Sequence, residues 1–253
     1  MNIIAIIPAR SASSRFPDKP LALVNGIPMV QRVYQQAAKV FDNVYVATDD
    51  ERILKTVHDF GGKSVLTSKN HKSGTDRCFE ALSIISQEIN TNFDILVNVQ
   101  GDEPYIQPEQ LYQLLECFQD DSVEIATLAK RIKSKDEFLN PNMPKVILDK
   151  NSNALYFSRM PIPFSRDNEI TEEFIKETEN RLFRHIGLYG FKISCLKKIC
   201  ALQESFLEHT EQLEQLRWLE NGLKIRVAET NFDTYSVDTP QDLDFINSMF
   251  CKK

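Results

Sequence analysis

From the first residue to about residue 120, short apolar runs of strand length alternate with longer stretches whose apolar positions return every three or four residues. Residues 2–7, NIIAII, are continuously apolar and end at Pro8, the pattern of a strand buried on both faces of a parallel sheet. The spacing predicts helices over residues 28–40, 51–60 and 76–88, the first opened by Pro28. Strands are predicted over residues 43–48, 63–67 and 94–100, with a Gly61-Gly62 turn before the second of these. Such β/α alternation builds a mostly parallel sheet flanked by helices, so the chain reads as α/β.

Beyond Pro108 the pattern is less regular. A helix to about residue 118 gives way to strand-like segments at 123–132 and 145–149, and the latter approaches residues 154–158 across the turn KNSN. The charged stretch 166–181 reads as an exposed excursion. A strand over 183–193, a helix over 207–222 closed by Gly222, a strand over 224–229 and a helix after Thr239 complete the chain. Leu207, Leu213, Leu216, Trp218 and Leu219 read as core or subunit-contact positions. With no internal repeat and no linker, residues 1–253 are expected to form a single domain.

Composition narrows the function. With 42% hydrophobic and 26% charged residues and no low-complexity tract, this is an ordinary globular composition. A chain of 253 residues buries enough surface to fold without disulfide or metal staples. The apolar start breaks at Pro8 and Arg10, too early for a signal sequence, and no run reaches the ~18 apolar residues of a membrane span. A cytoplasmic protein is therefore expected. The five cysteines show no CxxC pairing or Cys/His cluster and read as reduced thiols. A net charge of −6 argues against nucleic acid as a partner, so a polyanionic ligand must meet a local group of cations.

In an open parallel sheet, ligands bind beyond the carboxyl ends of the strands. Four polar segments lie there: PARSASSRFPDKP at 8–20, TDD at 48–50, SGTDR at 73–77 and QGDEP at 100–104. The first gathers Arg10, Arg15 and Lys19 with three serines, groups that converge well on phosphates, yet it lacks the GxxxxGK[ST] of a P-loop. Alone, it reads more readily as a solvated basic loop. Asp102 and Asp238 each read alone as turn or cap residues, Asp238 because it precedes Thr239-Pro240. His185 and Tyr189 share one face of a strand, as a core-packed pair would. Glu214 and Arg217 are spaced for a helical ion pair, and His58 and His71 carry no assignment.

Seven segments in order, PARSASSRFPDKPL, VATDDERI, SGTDR, NVQGDEP, ALYFSR, LEQLR and VDTPQDL, resemble the bacterial 3-deoxy-manno-octulosonate (Kdo) cytidylyltransferases over essentially the whole chain. The resemblance implies a Rossmann-like α/β fold with a smaller antiparallel portion for dimerisation and the sugar. Residues 1–120 and 223–253 would then form mainly the nucleotide and metal part, and 121–222 mainly the sugar and dimerisation part. It also implies a cytoplasmic homodimer that converts CTP and Kdo, an acidic eight-carbon sugar, to CMP-Kdo and pyrophosphate for lipopolysaccharide assembly.

Carried onto this sequence, the resemblance assigns Arg10, Ser14, Arg15 and Lys19 to the triphosphate. Ser73, Arg77 and Gln100 go to the cytidine, with backbone groups at Pro8 and Ala9 reading the base. Asp102 and Asp238 are implied ligands of Mg²⁺, which prefers oxygen donors shared with phosphates. With Arg15 and Lys19 they form the implied catalytic set. Gln100, Arg159, Arg166, His185, Tyr189, Glu214 and Gln215 are implied to face the sugar. The sequence departs from the family at PDKP, where PGKP is usual, and Asp18 is expected to compete with phosphate for Lys19. Competing readings are a cytidylyltransferase for 8-amino-Kdo or sialic acid, a nucleotide-sugar glycosyltransferase, and an inert sugar-binding protein.

Overall fold

The computed structural model describes residues 1–11, 15–178 and 181–250. Its chain divides into two compact units. The first comprises Met1–Tyr112, Gly190–Cys200 and Thr234–Lys253, and the second Gln113–Tyr189 and Ala201–Asp233.

The first unit opens with β1 (Ile3–Ala9), a hairpin of β2 (Leu23–Val24) and β3 (Ile27–Pro28), and α1 (Met29–Ala37). It continues through β4 (Val44–Thr48), α2 (Glu51–Asp59), β5 (Ser64–Leu66), α3 (Gly74–Glu88) and β6 (Ile95–Asn98) into α4 (Pro108–Glu116). Strand order is β6-β1-β4-β5, and every neighbouring pair is parallel. Ile4, Ile6 and Ile7 of β1 and Val46 and Ala47 of β4 are fully buried, as two-sided strand burial requires. Helices α1, α2 and α3 pack against these strands. Asp50 and Ser73 cap α2 and α3 by accepting the backbone N–H of Arg52 and Asp76, α2 starting just past the end of β4 and α3 after the loop that follows β5.

The second unit contains β7 (Ile125–Arg131), α5 (Lys135–Leu139), β8 (Lys145–Leu148), β9 (Ala154–Ser158), α6 (Glu172–Thr178) and most of β10 (Phe183–Lys192). After α7 (Ile193–Cys200), which belongs to the first unit, the second adds α8 (Phe206–Glu211), α9 (Gln215–Glu220) and β11 (Arg226–Glu229). β11 and β7 pair in parallel, whereas β8 is antiparallel to both β9 and β10. The last helix, α10 (Pro240–Met249), returns to the first unit.

Two expectations need correction. The charged stretch at 166–181 is more than an exposed excursion, because α6 buries Ile175 completely against Ile132, Phe138 and Leu182. The helix expected over 207–222 is two helices, α8 and α9. Gln212 breaks it in the left-handed region at φ 53°, while Leu216 and Trp218 still reach the core. No helix among the described residues is long and apolar enough to cross a membrane.

Candidate active site

In the first unit the chain leaves β1 toward β4 and β5 on one side and returns through β6 on the other. That reversal opens a crevice beyond the carboxyl ends of β1 and β6. A cleft of about 240 Å³ lies there, bounded by Pro8 and Ala9 at the end of β1, Arg10 just after it, and Gln100, Gly101 and Asp102 from beyond β6. Gly101 is required by close approach: a Cβ there would stand 2.8 Å from the Pro8 carbonyl oxygen.

The loop after β1 is closed where the Asp18 N–H donates to the Ser11 carbonyl at 3.1 Å. Asp18 itself is left-handed, with φ 56° and ψ 23°, and starts the one-turn helix at Lys19. Lys19 Nζ lies 2.8 Å from Asp102 Oδ2 and 3.2 Å from Asp238 Oδ1, with only 15% of its side chain exposed. Arg15 Nη2 reaches the same Asp238 oxygen at 3.1 Å from a more exposed position. The two aspartate loops are joined where the Val237 N–H donates to the Asp102 carbonyl at 2.9 Å.

The cap reading for Asp238 is overturned. Thr239 caps α10 in a reciprocal box with Asp242, which leaves the Asp238 carboxylate to the cations. The expected competition of Asp18 for Lys19 is also overturned, because its carboxylate pairs with Arg52 on α2, Oδ1 to Nη2 at 2.6 Å and Oδ2 to Nη1 at 3.1 Å. Arg52 also holds Asp50, whose pKa its hydrogen bonds depress strongly.

Of the residues assigned to the cytidine, Ser73, Arg77 and Gln100 all line the cleft. Ser73 is the α3 cap, and its hydroxyl is engaged with Asp76. The buried Arg77 guanidinium bonds Thr67 Oγ1 at 2.7 Å and Asp49 Oδ2 at 3.2 Å, so it braces the wall. Ser14 lies outside the described residues. His71 and Lys72 also line the cleft. Nothing in the sequence singled out His71, although it stands two residues before Ser73.

The carboxylate pair fits a hard divalent cation. One ammonium already sits within hydrogen-bond distance of both aspartates, so their oxygens converge on a single point. No group of three or more His, Cys, Asp or Glu that could hold a metal ion occurs among the described residues.

The expected sugar-facing residues, Gln100 apart, belong to the second unit. His185 and Tyr189 share a face of β10 with ring centroids 5.3 Å apart, and Tyr189 packs edge-on to Trp218 at 5.0 Å. His185 Nε2 lies 3.0 Å from Thr127 Oγ1, and burial lowers the ring's pKa to about 3. It is therefore neutral at physiological pH. Burial and the nearby Glu214 charge raise the Tyr189 pKa well above its ordinary value.

Arg159 donates to three backbone carbonyls, those of Glu211, Pro141 and Gln212. Arg166 is 91% exposed beside Asp167. Arg217, spaced for a helical pair with Glu214, binds Glu208, Nη2 to Oε1 at 2.5 Å. Gln215 is buried, and its Nε2 has no hydrogen-bond partner among the described residues.

A parallel-sheet crevice that sets an arginine-bearing loop against two aspartates bridged by a lysine defines a nucleotidyltransferase. The cytidylyltransferase family model matches residues 4–225. Curated relatives named 3-deoxy-manno-octulosonate cytidylyltransferase, from Parabacteroides distasonis and Bacteroides thetaiotaomicron, are 52% and 53% identical, each alignment covering 96% of this chain and 96% of the relative. A solved CMP:2-keto-3-deoxy-manno-octonic acid synthetase complexed with CTP matches with a TM-score of 0.88 and 38% identity over 99% of both chains. The chain thus belongs to the 3-deoxy-manno-octulosonate cytidylyltransferase family. The 4-diphosphocytidyl-2C-methyl-D-erythritol synthase of Anaerococcus prevotii, 14% identical with a TM-score of 0.60 over 99% of both chains, shares the fold alone.

Proposed function

We propose that this chain transfers CMP from CTP to Kdo, giving CMP-Kdo and pyrophosphate. The observation that carries the reading is the Lys19 ammonium set between Asp102 and Asp238 at the switch-point cleft, in a chain about half identical to the named relatives. The anomeric oxygen of Kdo bonds to the α-phosphorus, the bond to the bridging oxygen of the β-phosphate breaks, and the hydroxyl proton leaves.

Arg10, Arg15 and Lys19, with Ser14, hold and neutralise the triphosphate. Pro8, Ala9, Ser73, Arg77 and Gln100 position the cytidine. Gln100, Arg159, Arg166, His185, Tyr189, Glu214 and Gln215 are assigned to the sugar, and the unpartnered Gln215 Nε2 supports a hydrogen-bonding role. Asp102 and Asp238 would hold Mg²⁺, whose Lewis acidity makes a sugar hydroxyl more acidic and stabilises charge on departing pyrophosphate. Every neutral sugar lacks the carboxylate that a cationic site selects.

The same reading includes a cytoplasmic homodimer that feeds lipopolysaccharide assembly. Leu155, Met160, Phe164 and Phe206 of the second unit are 60% to 86% exposed, which supports an apolar subunit contact. Sedimentation of the purified chain as a monomer would remove the dimer.

The deciding experiment is pyrophosphate release from CTP with Mg²⁺ against Kdo, 8-amino-Kdo, sialic acid and neutral sugars. Release with Kdo above all others is expected. Preference for another acidic sugar reassigns the substrate, and release with none removes the transferase reading.

A further inference from the structure

His71 is a cleft residue to which the transfer reaction gives no role. It lies on the segment between β5 and α3, and with Ser73, Arg77 and Gln100 it forms the wall assigned to the nucleoside. Its Nε2 stands 2.5 Å from Glu80 Oε2, and the same carboxylate oxygen accepts the Ser68 N–H at 2.8 Å. Glu80 is thus anchored from two sides before the imidazole reaches it. Although burial raises the Glu80 pKa, the bonds from His71 and Ser68 outweigh this and hold it below its ordinary value.

The charge state fixes the ring's polarity. An ionised carboxylate only accepts hydrogen bonds, so Nε2 carries the proton that binds Glu80. In the neutral imidazole that leaves Nδ1 as an acceptor. Nδ1 has no partner among the described residues. In its neutral form, a side chain only 19% exposed, tethered at one nitrogen and lining a ligand cleft, offers one oriented acceptor.

The geometry points to His71 as a specificity-determining residue for the nucleotide: clamped by Glu80, it presents Nδ1 to a hydrogen-bond donor of the nucleoside. Glu80 is a positioning residue that acts through it. A cytidine carries such donors at its ribose hydroxyls and its exocyclic amine, and the shared chemistry is an N–H or O–H aimed at the ring. The assignment rests on CTP being the nucleotide of this cleft, but not on which sugar accepts the CMP.

Calorimetric binding of CTP to the intact chain tests it without any sugar present. Asn at position 71 places its amide near the Nδ1 position, whereas Gln places it near Nε2. His71→Asn is therefore expected to bind CTP within about threefold of the wild type. His71→Gln keeps a contact to Glu80 but is expected to lose about five- to tenfold, the size of one net hydrogen bond. Glu80→Ala is expected to lose a similar factor.

Nucleotide analogues then locate the donor. If the ribose donates, 2′-deoxy-CTP or 3′-deoxy-CTP, whichever lacks the donating hydroxyl, binds more weakly than CTP to the wild type and equally well to His71→Gln. If the amine donates, UTP shows that behaviour. Wild-type binding that is equal for CTP, 2′-deoxy-CTP, 3′-deoxy-CTP and UTP overturns the proposal without any variant. Equal losses in the Asn and Gln variants with unchanged selectivity overturn it as well, because they mark a packing role. Tight CTP binding without pyrophosphate release from Kdo would remove the proposed function and leave His71 standing.

Discussion

Asp18 gives its carboxylate to Arg52, with Oδ1 2.6 Å from Nη2, while the next residue, Lys19, gives its ammonium to Asp102 and Asp238. Two neighbours thus serve opposite ends of the same turn. Arg52 also binds Asp50 at 2.7 Å, so the base of the loop is tied to the start of α2. Asp18→Gly relieves the left-handed strain but cuts that tie. It is therefore expected to weaken CTP binding about two- to fivefold, the modest size proper to exposed pairs, and less at high salt. Arg52→Ala should match it, and the double variant should add little. Calorimetry that finds tighter CTP binding in Asp18→Gly would restore the idea that Asp18 competes for Lys19.

Gly101 sets the width of the cleft. An alanine Cβ would meet the Pro8 carbonyl oxygen at 2.8 Å, and that oxygen belongs to the backbone of β1, so it does not yield readily. Gly101→Ala is expected to weaken CTP binding about tenfold or more, with a thermal destabilisation of about 1–3 kcal/mol. At Gly74 the added carbon would stand 3.3 Å from the Pro8 Cγ, a softer contact, and Gly74→Ala should cost less. Equal CTP affinity in the wild type and Gly101→Ala would show that the β1 end does not border the nucleotide.

Much of the first unit was legible because its signals are local. The apolar runs at 2–7, 43–48 and 94–100 became β1, β4 and β6, since strands buried on both faces need no partner to betray them. Asp102 and Asp238 were legible only as a pair carried by resemblance, because 136 residues separate them and no spacing rule spans that distance. The Arg52 clasp and the His71–Glu80 clamp were not legible at all. Each joins residues that only the packing of a helix against a loop brings together. The break at Gln212 was hidden for another reason: the apolar spacing of 207–222 is helical on both sides of it, and only a positive φ divides them.

Metal dependence separates Asp102 and Asp238 from a purely electrostatic tie to Lys19. Asp102→Asn keeps an acceptor for the ammonium but removes the charge a divalent cation needs. Turnover at saturating Mg²⁺ is expected to fall about 100-fold or more, and Asp238→Asn should behave alike. Chelation of divalent ions should abolish wild-type turnover, and readdition of Mg²⁺ should restore it. Near wild-type turnover in Asp102→Asn would remove the metal assignment.

His185 should leave a mark on acid stability. Burial lowers its pKa from about 6.5 to about 3, so between those values the unfolded chain binds a proton that the folded chain refuses. The folded state therefore carries stability that is complete above pH 6.5 and is lost as pH falls toward 3. Carboxylates titrate in the same window, so the wild-type curve alone does not isolate the histidine. The comparison with His185→Gln does, because glutamine keeps an amide near Thr127 but takes up no proton. The variant is expected to be less stable than the wild type at pH 7, where packing against Tyr189 is weakened, and the deficit should shrink as pH falls. Denaturant titrations at pH 7, 5 and 4 measure this directly. A deficit that stays constant over that range would show that His185 titrates alike in the folded and unfolded chains.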